Sequence, residues 1–280
     1  RMWRKRLFVP SKQTSMFVSS IGVIGCSPLS GVEYRAAFGV ESNSEHHMSK
    51  QRIQLSTTIV AFLLAALWFF FPFGGPREEH LLFAMRLALP AILLATGSIG
   101  LLPCQMTFGF LFCAIGDAMG VIGSFEGQMG GFAIAHICFI LFFLKDIRGG
   151  KIHPSAYLLT TLLCFVPLIL ATVKVLPAIQ DLPLRIGCAI YALLLSGTMW
   201  TSIIRTQSIQ AGKVISVVAT LGGSFFLISD FILAWNKFTA HIPNASILIM
   251  STYYAALLFL FVGTLRVSQI PQKKKILYHI

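Results

Sequence analysis

The sequence carries little charge, since 11% of its 280 residues are Asp, Glu, Lys or Arg, whereas 56% are apolar. A soluble domain averages about 25% charged residues, so this chain has too few polar side chains to cover a soluble fold. Its apolar residues instead fall in runs of about 20, the length that crosses a bilayer as a helix. The sequence therefore predicts an all-α protein, a polytopic membrane helix bundle.

Several motifs of known chemistry are missing as well. There is no GxSxG nucleophile elbow, no HExxH and no glycine-rich phosphate loop in a strand–helix context. The six cysteines include no CxxC pair and no Cys/His cluster with zinc spacing. Acidic residues are scarce, at 10 against 22 basic ones. Because the basic residues stand at the ends of apolar runs, they indicate membrane anchoring, and no nucleic-acid partner is predicted.

Eight apolar runs are predicted to be transmembrane helices, near residues 53–71, 80–99, 105–122, 128–144, 156–176, 184–204, 213–235 and 245–267. They form a single transmembrane domain, residues 48–280. Residues 1–47 have no comparable run and precede Met48, so we expect a non-native or disordered upstream segment. Eight spans place both termini on one side, whose segments after residue 47 hold eleven Lys and Arg against four opposite. The positive-inside rule then predicts a cell-membrane protein with both termini cytoplasmic.

Three ionisable residues lie within apolar runs: Asp117 in the third, His136 in the fourth and Asp230 in the seventh. Such residues are costly in hydrocarbon and usually mark function. Both aspartates stand near the ends of odd-numbered spans, and His136 is about eight residues, or roughly 12 Å, into the span that follows. The sequence thus predicts one intramembrane site at a common depth. The repeated layout also suggests an internal duplication.

Helical spacing supports an inward orientation for these groups. Gly116 and Gly120 flank Asp117, and small residues let a second helix approach closely. Neighbouring polar and aromatic residues are predicted to bind substrate: Ser229, Asn236, Lys237, Tyr253, Tyr254 and Tyr191. For each of them a packing role stays open. Lys237 also suits an interface anchor, and one of the paired tyrosines suits an aromatic belt.

Five segments together resemble the lysoplasmalogenase family, the YhhN-like multipass membrane proteins. They are FCAIGDAMGVI, GFAIAHICFI, YALLLSGTMW, LGGSFFLISDFILAWNKF and STYYAALL, in that order. The resemblance covers roughly residues 55–267. In the family a basic residue often precedes the proline of the second span, whereas here Leu89 precedes Pro90 and the basic residue is Arg86. A headgroup role for that position is therefore not implied.

The resemblance implies hydrolysis of the vinyl-ether bond of lysoplasmalogens to a fatty aldehyde and a glycerophospho-base. Paired carboxyl groups in a low-dielectric site suit general acid and base roles. Asp117 and Asp230 are expected to supply the acid and the base or stabiliser, in either order, with His136 orienting one of them or relaying the proton. This chemistry requires no metal and no redox cofactor. The implied partners are membrane lipids and a lysolipid substrate.

Two alternatives use the same residues. Intramembrane Asp and His side chains also form the proton relays of transporters, which are often built from paired halves. Asp117, His136 and Asp230 are also enough ligands for a catalytic metal in a membrane hydrolase. Zinc, however, is usually held by more imidazole or thiolate groups than the single deep histidine supplies. The place where the site opens would separate an enzyme from a transporter.

Overall fold

A computed structural model describes residues 31–71, 80–147, 154–207 and 212–265. The chain divides into two compact units, residues 1–45 and 46–280. In the first unit the described residues, 31–45, are helical. The interpretation of residues 1–47 as an upstream segment stays a prediction, and residues 1–30 lie outside the described residues.

The described residues contain eight α-helices and no strand. The helices are α1 Gly31–Phe70, α2 His80–Ser98, α3 Cys104–Val121, α4 Phe125–Ile147, α5 Pro154–Leu170, α6 Leu182–Arg205, α7 Lys213–Phe238 and α8 Ala245–Gly263. The predicted all-α polytopic architecture is confirmed.

Seven described helices are long and apolar enough to cross a membrane, and α2 is shorter, with an apolar stretch of Met85–Ser98. The helix His80–Ser98 nevertheless coincides with the predicted second span, near residues 80–99. Arg86, near the start of this stretch, is buried and donates to the carbonyls of Trp68, Phe69 and Phe71, each 3.2 Å away. These carbonyls belong to the end of α1, where helical partners run out. Arg86 thus joins the ends of α1 and α2.

The fifth span changes its backbone pattern before it ends. The α-helix continues through Pro167 to Leu170, becomes a π-helix over Ala171–Val175 and closes as a 3₁₀ turn over Leu176–Ala178. The irregularity thus begins four residues after Pro167, which itself lies within the α-helix. π-helical turns occur frequently at functional sites.

Short turns join the helices that carry the polar groups. Gly123, with a φ of 84°, turns the chain between α3 and α4, a conformation that glycine adopts without strain. Ser124 Oγ then accepts from Gly127 N at 3.1 Å at the start of α4. Asp181 caps α6 in the same way, accepting from Leu184 N at 2.8 Å.

Helix contacts close a ring of six helices in the order α2, α3, α4, α6, α7, α8 and back to α2. The ring interior is filled by fully buried side chains, among them Phe110, Phe139, Phe226 and Phe261. The fifth helix packs on the outside of α6, and its π-helical end reaches α7. Many outward side chains are large and apolar, as a lipid-facing surface requires.

Candidate functional site

Asp117 lies inside the ring, with 2% of its surface exposed. Its Oδ2 accepts a hydrogen bond from Tyr253 Oη at 2.9 Å, which joins α3 to α8 across the interior. A close approach of α3 and α4 makes this position possible, because Gly131 has no side chain and lies against the backbone of Gly116. The predicted inward orientation of Asp117 follows from these small residues.

Asp230 forms a second carboxyl–tyrosine pair. Its Oδ2 accepts a short hydrogen bond from Tyr191 Oη, which joins α7 to α6. The aspartate is 8% exposed, and Tyr191 is half-buried. Both aspartates therefore hold a phenol partner from another helix.

His136 is fully buried between the two pairs. Its ring centroid lies 5.7 Å from that of Tyr191 and 4.5 Å from that of Phe226. Nδ1 is 2.9 Å from Thr198 Oγ1, and Nε2 has no hydrogen-bond partner among the described residues. Neither ring nitrogen bonds an aspartate directly.

Two phenylalanines connect the pairs. The ring of Phe226 packs edge-on against Tyr253 at 5.4 Å and against Phe132 at 5.9 Å, while it also touches His136. Phe132 packs against Tyr253 at 5.7 Å. The structure thus brings Asp117, His136 and Asp230 into one interior region, which is connected by contacts among aromatic rings.

A cavity of about 80 Å³ opens beside the second pair. Its polar lining groups include Tyr191, Asp230, Gln128 and Ser196, and most of the remaining lining is apolar. Asp117 and Tyr253 are not among its lining residues. The cavity lies toward the end of the bundle where α4 and α6 begin and α7 ends, and the end of α5 forms one wall. Of the two aspartates, Asp230 is the one that borders this space.

Three predicted substrate-binding residues make their contacts away from the cavity. Ser229 Oγ donates to Ile249 O at 3.0 Å and joins α7 to α8. Asn236 Oδ1 accepts from Ile242 N at 2.8 Å in the turn that follows α7. The remaining tyrosine, Tyr254, is buried and donates to Leu87 O at 3.2 Å, away from the cavity. These contacts are structural, and an aromatic-belt position for Tyr254 is wrong because the ring is buried.

Lys237 is exposed, and its Nζ lies 4.5 Å from the centroid of the Phe125 ring. That ring lines the cavity, so the ammonium group stands at the cavity rim. The position is compatible both with a membrane-interface anchor and with an anionic group held at the rim.

Two residues of the site were not predicted. Gln128 lines the cavity, and Thr198 bonds His136. The spacing of residues along the helices could have indicated both positions. Gln128, Phe132 and His136 follow one another at four-residue steps on one helix face, and Thr198 stands two turns after Tyr191. Unlike a charged residue, an uncharged polar residue does not by itself indicate function, because such residues are ordinary in membrane helices.

Among the described residues, no three His, Cys, Asp or Glu side chains form a group that could hold a metal ion. The ligand set of the metal-hydrolase alternative, with Asp117, His136 and Asp230 together, is therefore not assembled in this arrangement.

Comparison with known proteins supports the resemblance seen in the sequence. The family model described as the YhhN family matches residues 81–264. A human protein named lysoplasmalogenase TMEM86B is 28% identical over 233 residues, which cover 81% of this chain and 94% of the human protein. The rat protein of that name is 31% identical over 56% of this chain and 60% of its own length. The mouse protein is 32% identical over 56% of this chain and 62% of its own length. No solved structure matches this chain.

Proposed function

Because the chain belongs to the YhhN family, we propose that it is a membrane hydrolase that cleaves the vinyl-ether bond of lysoplasmalogens. The products would be a fatty aldehyde and a glycerophospho-ethanolamine or -choline. The observation that carries the proposal is the position of Asp230, a phenol-bonded carboxyl group on the wall of a mostly apolar cavity. The names of the human, rat and mouse relatives indicate the same activity.

The reaction needs a proton donor beside an apolar chain. Protonation of the vinyl-ether carbon that bears the alkyl chain breaks the C=C π bond and leaves an oxocarbenium ion at the other carbon. Water adds to that carbon, a proton is lost, and the resulting hemiacetal collapses to an aldehyde and an alcohol. Asp230 would give the first proton and accept one from water, a role that its place in the cavity lining supports.

Asp117 would act without contacting the substrate, because it lies outside the cavity lining. It does not border the cavity, and its nearest described polar partner is Tyr253. An anionic Asp117 would stabilise the developing positive charge through space, an effect that low-dielectric surroundings strengthen. His136 would orient the reacting pair through its ring contact with Tyr191, since neither of its nitrogens bonds an aspartate.

Lys237 is the residue that the structure leaves best placed for the headgroup. Its ammonium stands beside Phe125 at the cavity rim, and a phosphate there would meet it without entering the apolar interior. Asn236 and Ser229 are engaged in turn and helix contacts, so we assign them no headgroup role.

Released aldehyde measures the reaction directly. Purified protein would be incubated with a lysoplasmalogen, and the long-chain aldehyde would be quantified by mass spectrometry. We expect Asp230→Asn to lower kcat by at least about 100-fold, the usual loss for a general acid or base. Asp117→Asn should also lower kcat, with little change in KM.

Asp181→Asn is the matched control, because Asn caps a helix as well as Asp does and Asp181 lies at the start of α6. Full activity in both site variants would refute the proposal. Movement of intact lysolipid between leaflets without aldehyde release would instead favour the transporter alternative.

A further inference from the structure

Gln128 is a polar cavity residue that the mechanism does not use. It lies in the first turn of α4, half-buried, and it lines the cavity together with Asp230 and Tyr191. Among the described residues, no hydrogen bond engages its carboxamide. A carboxamide offers two donors and an acceptor, so it has full capacity for a ligand.

The carboxamide packs against a glycine on the neighbouring helix. A Cβ atom built on Gly120 would come within 2.8 Å of Gln128 Cδ and Nε2. The absence of a side chain at residue 120 therefore provides the space that the amide occupies against α3. A side chain at residue 120 would have to displace this amide, so the position of the amide depends on the glycine.

The groups around the cavity follow a chemical order. Lys237 stands at the rim, seven residues and about 10 Å along α7 beyond Asp230. Gln128 follows Phe125 by one helical turn along α4. Phe125 is the rim residue whose ring lies against the Lys237 ammonium group. Deeper lining is apolar and includes Phe132. This order matches the groups of a single-chain glycerolipid. The cation would meet the phosphate, the neutral amide would meet the free glycerol hydroxyl, the carboxyl group would meet the ether bond, and the apolar wall would meet the chain.

We propose that Gln128 binds the free glycerol hydroxyl and so selects single-chain lipids over their two-chain counterparts. This inference rests on the proposed function and deepens it. In a two-chain lipid that hydroxyl is esterified, so it has no proton to donate. A site built to bond a hydroxyl discriminates against an analogue without it, because its own polar group is then left unpaired.

The test compares a lysoplasmalogen with its analogue in which the glycerol hydroxyl is replaced by hydrogen. We expect the wild-type protein to prefer the hydroxylated lipid about tenfold in kcat/KM, the effect of one neutral hydrogen bond. In Gln128→Leu the preference should disappear, so that the two lipids have about equal kcat/KM. A preference that persists unchanged in Gln128→Leu would overturn the assignment.

Gly120→Ala gives an independent perturbation that keeps the amide chemistry. The added methyl group would displace the Gln128 carboxamide, so the preference should also decline. Met129→Leu is the matched control, because Met129 borders the same cavity without a hydrogen-bonding amide. It should alter chain packing and keep the wild-type preference ratio.

A binding readout separates this inference from the proposed reaction. Cys188 lines the same cavity, and its thiol can be labelled with a maleimide and quantified by peptide mass spectrometry. The hydroxylated lipid should protect Cys188 at about tenfold lower concentration than the deoxy analogue, and Gln128→Leu should remove the difference. Absence of aldehyde with this difference intact would refute the reaction and retain the hydroxyl site. Equal protection by both lipids would refute the site.

Discussion

Tyr191 and Tyr253 each donate to a carboxylate, yet only Tyr191 borders the cavity. A hydrogen bond contributes about 0.5–1.5 kcal/mol to a neutral partner and about 1.5–3 kcal/mol to a charged one, so either loss should be measurable. We expect Tyr191→Phe to lower kcat/KM at least tenfold and to change KM. Tyr253→Phe should lower kcat with KM unchanged, because its partner Asp117 does not meet substrate. Steady-state aldehyde release checks both, and equal KM changes in the two variants would contradict this distinction.

At the residue scale, the sequence predicted the ionisable members of the site and little of their bonding. Asp117, His136 and Asp230 stand out because charge in an apolar run is costly. Their partners depend on which helices become neighbours, which hydropathy does not encode. Thr198 was therefore missed beside His136. One of the paired tyrosines was expected to suit the membrane interface, whereas Tyr254 is buried and bonds the carbonyl of Leu87.

At the element scale, α7 and α8 approach closely at glycine positions. A Cβ atom on Gly263 would overlap the backbone nitrogen of Ala219. We expect Gly263→Ala to destabilise the protein by about 1–3 kcal/mol, since the two helices would have to separate. Thermal unfolding in detergent, followed by tryptophan fluorescence, measures this as a lower Tm.

Gly130 provides the matched control for this change. It lies in the exposed face of α4, and nothing stands within 4 Å of a Cβ atom there. Gly130→Ala should keep or raise Tm, because alanine favours a helix by up to about 1 kcal/mol over glycine. A Tm decrease of similar size in both variants would show that helix contact at Gly263 is not the cause.

Helix positions were predictable because the length of an apolar run sets the length of a span. The backbone pattern within a span was not. In the fifth helix, the apolar run ends at Lys174, but it does not show that the hydrogen bonding becomes π-helical over Ala171–Val175.

At the scale of the whole molecule, the predicted orientation counted basic residues in loops. Arg205 entered that count, but it is buried, 2.8 Å from Asp146 through Nε, and it donates to Gly263 O at 2.6 Å. It therefore joins α6 to the ends of α4 and α8. The remaining loop charges still favour cytoplasmic termini.

Accessibility of a tag tests this orientation. With the C-terminus cytoplasmic, a tag fused after residue 280 should resist protease added to intact cells and become sensitive after permeabilisation. A tag in the turn after α7, near residue 240, should show the opposite pattern, since that turn lies at the other end of the bundle. Matching behaviour of both tags would contradict a membrane crossing by α8.

The position of α5 outside the six-helix ring has a consequence for the release of products. Its outer face carries exposed leucines while its far end walls the cavity, so a single helix separates the reaction space from hydrocarbon. Under the proposed reaction, the two products differ sharply in solubility. The aldehyde would partition sideways into the bilayer past this helix, and the glycerophospho-base would leave past Lys237 into water. Each product would thus leave into the phase in which it is soluble, and neither product would obstruct the next substrate.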